Sequence, residues 1–132
     1  MDLINEINEI YLDLNKKIDS DKKEIIKIKI DIILYFLYGY FWGKYQQELF
    51  SGEFIVNDPI ILKLVNLKNK AKLNKEKREF IQDKISRLLV YSTWFLIEQL
   101  ELTRPWIETV NSDKNLKKID NNVIKIFFGK LN

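Results

Sequence analysis

Three carboxylates near the start of the chain, Glu6, Glu9 and Asp13, are the first residues whose types and spacing could do chemistry, as a cation site or an acid–base cluster. Leu3, Ile7, Ile10, Leu14 and Ile18 recur among them at steps of three and four, which makes the carboxylates the solvated side of an amphipathic helix. Ser92 and Thr93 are the candidate nucleophiles, but they stand in an apolar run, where a hydroxyl ordinarily bonds within its own helix. A nucleophilic hydroxyl also needs a base, and the sequence contains no His and no Cys. Zinc sites, iron–sulfur clusters and catalytic triads therefore lack their central residue. Gly39, Gly43, Gly52 and Gly129 form neither of the glycine patterns that cradle phosphates. A glycosidase-type carboxylate pair is a spatial arrangement that no spacing here supports. The residues thus point away from an enzyme, with no cofactor and no metal site.

Charge is the remaining chemistry. The net charge of +3 is concentrated in one segment, residues 63–78, where Lys63, Lys68, Lys70, Lys72, Lys75, Lys77 and Arg78 face Glu76 alone. Neutralised phosphates release counterions, so such a stripe is a candidate nucleic-acid contact. Against this, guanidinium is the preferred fork for phosphates and bases, and only Arg78 supplies one. No helix-turn-helix reader is evident. A solvated loop and helix end in a Lys-rich chain is the simpler reading, and an acidic surface on a protein partner would satisfy the segment equally well.

The elements that must position these residues belong to one domain. The chain has 132 residues, within the span of about 100–200 typical of a single domain. Its 46% apolar and 31% charged residues are those of a folded globular protein. Twenty Ile, nineteen Lys and twelve Asn against one Ala are the pattern left by AT-rich codons, pointing to a low-GC bacterium or its mobile elements. With no Cys there is no disulfide framework. Acids rather than lysines precede the first apolar residues, so no export signal is read. The most apolar stretch, residues 32–42, is about half the ~20 residues of a membrane span. These features predict a cytoplasmic protein without a membrane partner. Gly39 and Gly43 read as a site of close helix packing.

Along the chain, the amphipathic helix fills most of residues 1–20, with Asp2 as its cap. Ser20 caps a long helix over about 22–45, apolar on nearly all sides in its second half and hence the central helix. Apolar pairs flanking Ser51-Gly52 suggest a turn, with at most a short β-hairpin near 49–56. Asp58-Pro59 reads as the start of a helix carrying Ile60, Ile61, Leu64, Val65 and Leu67. Further helices are expected from about Asn74, from Ser92 to Leu102, from Pro105 and from Asp120. The expected fold is mainly α, a bundle of five to seven helices around the central one.

Three stretches resemble the Panacea domain of SocA-like antitoxins. Ile28 to Trp42 is similar to that family's K-L-Q-K-L-L-Y-F-A opening helix, and Leu49-Phe50 with Glu53-Phe54 to its L-F-D-E-x-F strand. Leu73 to Ile81 is similar to its L-S-x-E-E-x-x-x-I helix start. Leu100-Glu101-Leu102-Thr103-Arg104-Pro105-Trp106 is a shortened L-x-x-L-T-H-x-x-x-P-W, followed by Ile119 and Val123 to Phe128 like the family's closing helix. The resemblance covers residues 24–130, as a divergent member: the family's W-K-Y-G-P-V is reduced to Asn57-Asp58-Pro59-Ile60, and its T-H pair becomes Thr103-Arg104. It implies an antitoxin-like module that binds and neutralises a cognate toxin, or acts as its proteolytic adaptor, with the toxin encoded next to it and often on a prophage. Partner-binding residues are then expected at Tyr45, Phe50, Phe54, Arg104 and Trp106, since interfaces are rich in aromatics and Arg. The alternatives are a nucleic-acid-associated protein using 63–78 and a phage or mobile-element structural protein that self-associates.

Overall fold

The computed structural model describes residues 23–57, 61–112 and 117–130, so the expected helix of residues 1–20 and the Asp58-Pro59 start lie outside the described residues. Five helices and a two-stranded antiparallel sheet follow one another among the described residues: α1 (Lys23–Tyr45), β1 (Phe50–Asn57), β2 (Ile61–Asn69), α2 (Lys75–Leu89), α3 (Thr93–Glu101), α4 (Arg104–Val110) and α5 (Asn121–Gly129). No helix among them is long and apolar enough to cross a membrane. The mainly helical class agrees with the sequence reading.

The helices start where short polar side chains can take the free N–H groups of the first turn. Asn74 accepts from Lys77 N, Ser92 from Phe95 N, and Asp120 from Asn122 N. α1 stops at Tyr45 because Gln46 takes a left-handed conformation, φ 55°, and its N–H returns to the Trp42 carbonyl at 2.8 Å. From Ile30 to Phe41 nearly every α1 side chain is buried, and the helix packs against β2, α2, α3 and α5.

The segment from Ile61 is a strand, which corrects the expected helix there. It also corrects the hairpin's extent: the two strands pair from Phe50↔Asn69 to Asn57↔Ile61, well beyond 49–56. Alternation explains the outcome: Leu62 and Leu64 are buried while Lys63 is exposed, the period of a half-buried strand. Ser51-Gly52 is not the turn but the site of a β-bulge, where the register shifts between Ser51 and Glu53. Opposite it, Asn66 absorbs the extra residue at φ 59°, a conformation Asn tolerates better than most, and its amide donates to Glu53 Oε2 at 3.2 Å. A Cβ at Gly52 would lie 2.8 Å from Leu64 Cδ1, so a larger residue there would have to move the end of that side chain. The other side of β1 is held by residues 117–119, through Val56 N to Lys117 O and Ile119 N to Phe54 O, both 2.8 Å.

One charge is enclosed by this packing. Asp31, on the α1 face toward β2, is 3% exposed and accepts from Lys27 one turn earlier. Burial pushes its carboxyl pKa up, against the pull of Lys27, a backbone hydrogen bond from Leu64 and Lys63. An acid with a raised folded-state pKa binds more protons folded than unfolded, so stability is expected to fall as pH rises through the acid range above 3.8. Urea melts across that range should show wild-type stability falling with pH relative to that of Asp31→Asn, the other carboxylates being common to both.

Candidate functional site

α3 carries more apolar area than the core can take. It is capped by Ser92, whose Oγ accepts from Phe95 N at 3.1 Å, and that register turns Leu96 and Leu100 inward, 1% and 2% exposed. These two residues, one turn apart, satisfy the core face. Ile97 packs partly against the same core, while much of the α2–α3 junction and of α3 looks outward: Val90 is 79% exposed, Trp94 73% and Leu102 71%, with Tyr91 and Phe95 half-exposed. Tyr91, just before the Ser92 cap, and Phe95, in the first turn of α3, stack at 4.6 Å between ring centroids.

Behind this stack lies a groove of about 350 Å³. α1 supplies Phe36 and Tyr40, α5 supplies Phe127, and the α3 side supplies Tyr91, Phe95 and Gln99. Phe36 and Tyr40 stack on one another at 6.0 Å, and the Phe128 ring stands edge-on to Tyr40 at 5.4 Å, so the floor is fixed by the core itself. Burial, then the proximity of Tyr91, raises the Tyr40 pKa, which keeps its phenol a neutral hydrogen-bond donor. The Lys84 ammonium of α2 sits 5.2 Å from the centre of the Tyr40 ring. The surface offers an apolar floor packed by the core and a polar group at Gln99. Among the described residues there is no group of three or more Asp and Glu able to hold a metal ion.

The residues expected from sequence lie elsewhere. Phe50 and Phe54 are fully buried and Trp106 is 6% exposed, which corrects their assignment to a partner surface. Their rings are taken up by the core, Phe50 against Tyr38 at 5.3 Å and Phe54 against Tyr35 at 5.6 Å. Tyr45, at the end of α1, is half-buried between Phe41 and Phe80 and donates to Glu76 Oε1 at 3.4 Å. Arg104 is exposed, its guanidinium Nε 2.6 Å from Glu108 Oε1 one turn on. None of the five lines the groove.

The basic segment is divided among elements. Lys63 and Lys68 are exposed on β2, Lys70 and Lys72 follow it, and Lys75, Lys77 and Arg78 open α2. Lys70 lies 3.6 Å from Glu48 Oε1, and Lys77 donates to Gln47 Oε1 at 2.8 Å and covers the Tyr45 ring at 5.3 Å. Sequence reasoning missed Tyr91, Trp94, Phe95 and Leu102. The signal was present: a nine-residue helix with Trp, Phe, Leu and Ile in succession holds more large apolar side chains than one buried face accepts.

No protein-family model, curated protein or solved structure matches the chain.

Proposed function

We propose that the chain is an antitoxin-like protein-binding module that neutralises a cognate toxin by direct contact at the groove between α1, α3 and α5. The observation that carries the reading is the exposed aromatic surface: Leu102 and the Tyr91–Phe95 stack line a preformed apolar groove, and Trp94, exposed on the same helix next to Phe95, extends the apolar surface beyond it. An apolar patch of this kind on a small folded chain is the ordinary mark of a docking face. Large aromatics in and around a pocket are the side chains that carry most binding energy. The resemblance of residues 24–130 to the Panacea domain supplies the class of partner, a toxin encoded alongside, and the adaptor form of that function would use the same face. In this reading the chain is one bundle assembled round α1, acts in the cytoplasm and performs no chemistry of its own. The nucleic-acid alternative has less behind it, since Lys70 and Lys77 are already engaged by Glu48 and Gln47.

The test is co-expression with the product of the neighbouring reading frame, read as co-purification and as rescue of growth. Trp94→Asp and Leu102→Asp change surface positions, where stability typically shifts by no more than about 0.5 kcal/mol. Each is expected to weaken the complex by roughly thirtyfold, the scale of one lost interface anchor, with the thermal melt unchanged. A wild-type chain that neither co-purifies nor rescues, or variants that bind as well as it does, would sink the proposal.

A further inference from the structure

α3 stands in the longest lysine-free run of a lysine-rich chain. Residues 85–113 contain no Lys, whereas nineteen Lys in 132 residues would place about four in a run of that length. The exposed positions on this surface are held instead by Tyr91, Trp94, Phe95 and Leu102, with Glu98 and Glu101 among them. Trp94, Glu98 and Leu102 follow at steps of four, so a carboxylate stands between two apolar side chains on one face of the helix. The nearest cations along the chain are already engaged. Lys84 lies over the Tyr40 and Phe80 rings at 5.2 and 5.5 Å, Arg87 is 3.1 Å from Asp83, and Arg104 is 2.6 Å from Glu108. Among the described residues no cation is within ion-pair distance of Glu98 or Glu101.

Those carboxylates decide what the apolar surface can accept. A second copy meeting α3 face to face would set Glu98 and Glu101 against their own kind, and like charges across an interface are costly. Nucleic acid and an anionic bilayer carry the wrong sign for the same reason. Residues 1–20, with five acids against two lysines, carry it as well. A cationic segment with one apolar face meets the opposite condition. Its apolar side chains enter the groove beside Tyr91, Phe95 and Leu102, and its lysines or arginines meet Glu98 and Glu101. A helix presents such a stripe at steps of three and four, the ordinary way an amphipathic segment fills an apolar groove. We propose that the α3 face binds a basic amphipathic helix of the partner, an inference that rests on the docking function above and gives the chemistry of what docks.

The test adds blocked peptides of about eighteen residues, long enough to form a helix, to the full chain. A Leu–Lys peptide with its leucines at helical spacing is compared with a Leu–Glu peptide of the same pattern and with a Leu–Lys peptide in scrambled order. Only the first is expected to bind, with a blue shift of tryptophan emission that Trp94→Phe removes. In Glu98→Lys/Glu101→Lys its affinity should fall about tenfold while the Leu–Glu peptide begins to bind. Both lysines would lie in the last turn of α3, where the helix dipole favours cations, so the thermal melt is expected to hold. The inference is overturned by failure of the patterned peptide to bind, by equal binding of the scrambled one, by unchanged affinity in the folded variant, or by self-association through α3 in light scattering. A neighbouring-frame product whose binding is lost in Trp94→Asp but kept in Glu98→Lys/Glu101→Lys overturns it too, and leaves the docking function standing. The expected peptide pattern without any such product supports the surface chemistry and removes the toxin as its partner.

Discussion

Phe128→Ala is expected to remove about 3–5 kcal/mol of stability in urea melts, the cost of emptying a large, closed aromatic site. Phe128 is 2% exposed, and its ring stands edge-on to Tyr35, Phe36 and Tyr40 at 5.8, 6.1 and 5.4 Å. It rests directly on Gly39, where a Cβ would come within 2.2 Å of the ring carbons. Gly39→Ala therefore has two opposed effects. Alanine improves α1 by up to about 1 kcal/mol of helix propensity. Its methyl, however, must displace a ring boxed in by three others, and overpacking of that kind costs about 1–3 kcal/mol. The ring cannot swing away as the end of a flexible chain would, so overpacking wins and the single variant is destabilised. Together the two changes should cost clearly less than their sum, because the new methyl enters space the ring has left. Simple additivity would mean that α1 and α5 do not meet through this contact. A stable Gly39→Ala would mean that the groove floor, which Phe128 helps to form, is adaptable rather than rigid.

That contact shows what was legible in the sequence. Gly39 read as a point of close helix approach because only a missing side chain explains Gly within so apolar a run, and the partner turned out to be α5. Three of the five described helices were legible from their caps, since Asn74, Ser92 and Asp120 mark starts by chemistry that acts within one turn. β2 was not. Ile61, Leu64, Val65 and Leu67 fit a helical stripe, while Leu62 and Leu64 flanking Lys63 fit a strand, and a run this short carries both periods. Pairing with β1 decides between them, and that is a tertiary term absent from the local sequence. The site failed for a related reason. Phe50, Phe54 and Trp106 stand beside turns and a helix start, positions that resemble a surface, yet the sheet and α4 turn them inward. Trp94 and Leu102 stand within an apolar helix, where burial is the natural expectation. Only the register set by Ser92 shows that Leu96 and Leu100 already fill the core face.

Thr103→Val is expected to cost about 1–3 kcal/mol, and adding Tyr35→Phe should return part of that stability. Tyr35 is wholly buried, and burial raises its phenol pKa, so the group is neutral and must place one proton. Its oxygen lies 2.8 Å from Thr103 Oγ1. Thr103 has a single hydroxyl proton and donates it to the Leu100 carbonyl at 2.7 Å, which leaves Tyr35 as donor and Thr103 as acceptor. Valine keeps the volume and removes the acceptor, stranding a hydroxyl where water cannot reach. The Leu100 carbonyl keeps the Thr103 N–H at 3.0 Å, so the loss is concentrated on Tyr35. Phenylalanine at 35 then removes the stranded group, and the double variant should be more stable than Thr103→Val alone. Thr103 coincides with the Thr of the T-H pair on which the resemblance to the Panacea domain partly rests, and a place on the proposed partner face would predict the opposite pattern: full stability and lost binding. At 5% exposure its hydroxyl serves α1, whereas the adjacent Arg104 is solvent-exposed and paired with Glu108. Arg104→Ala should accordingly shift the melt by no more than about 0.5 kcal/mol. If binding survives Arg104→Ala and is lost with Trp94→Asp, the divergence at Thr103-Arg104 bears on how the bundle is joined, and the partner face lies on α3.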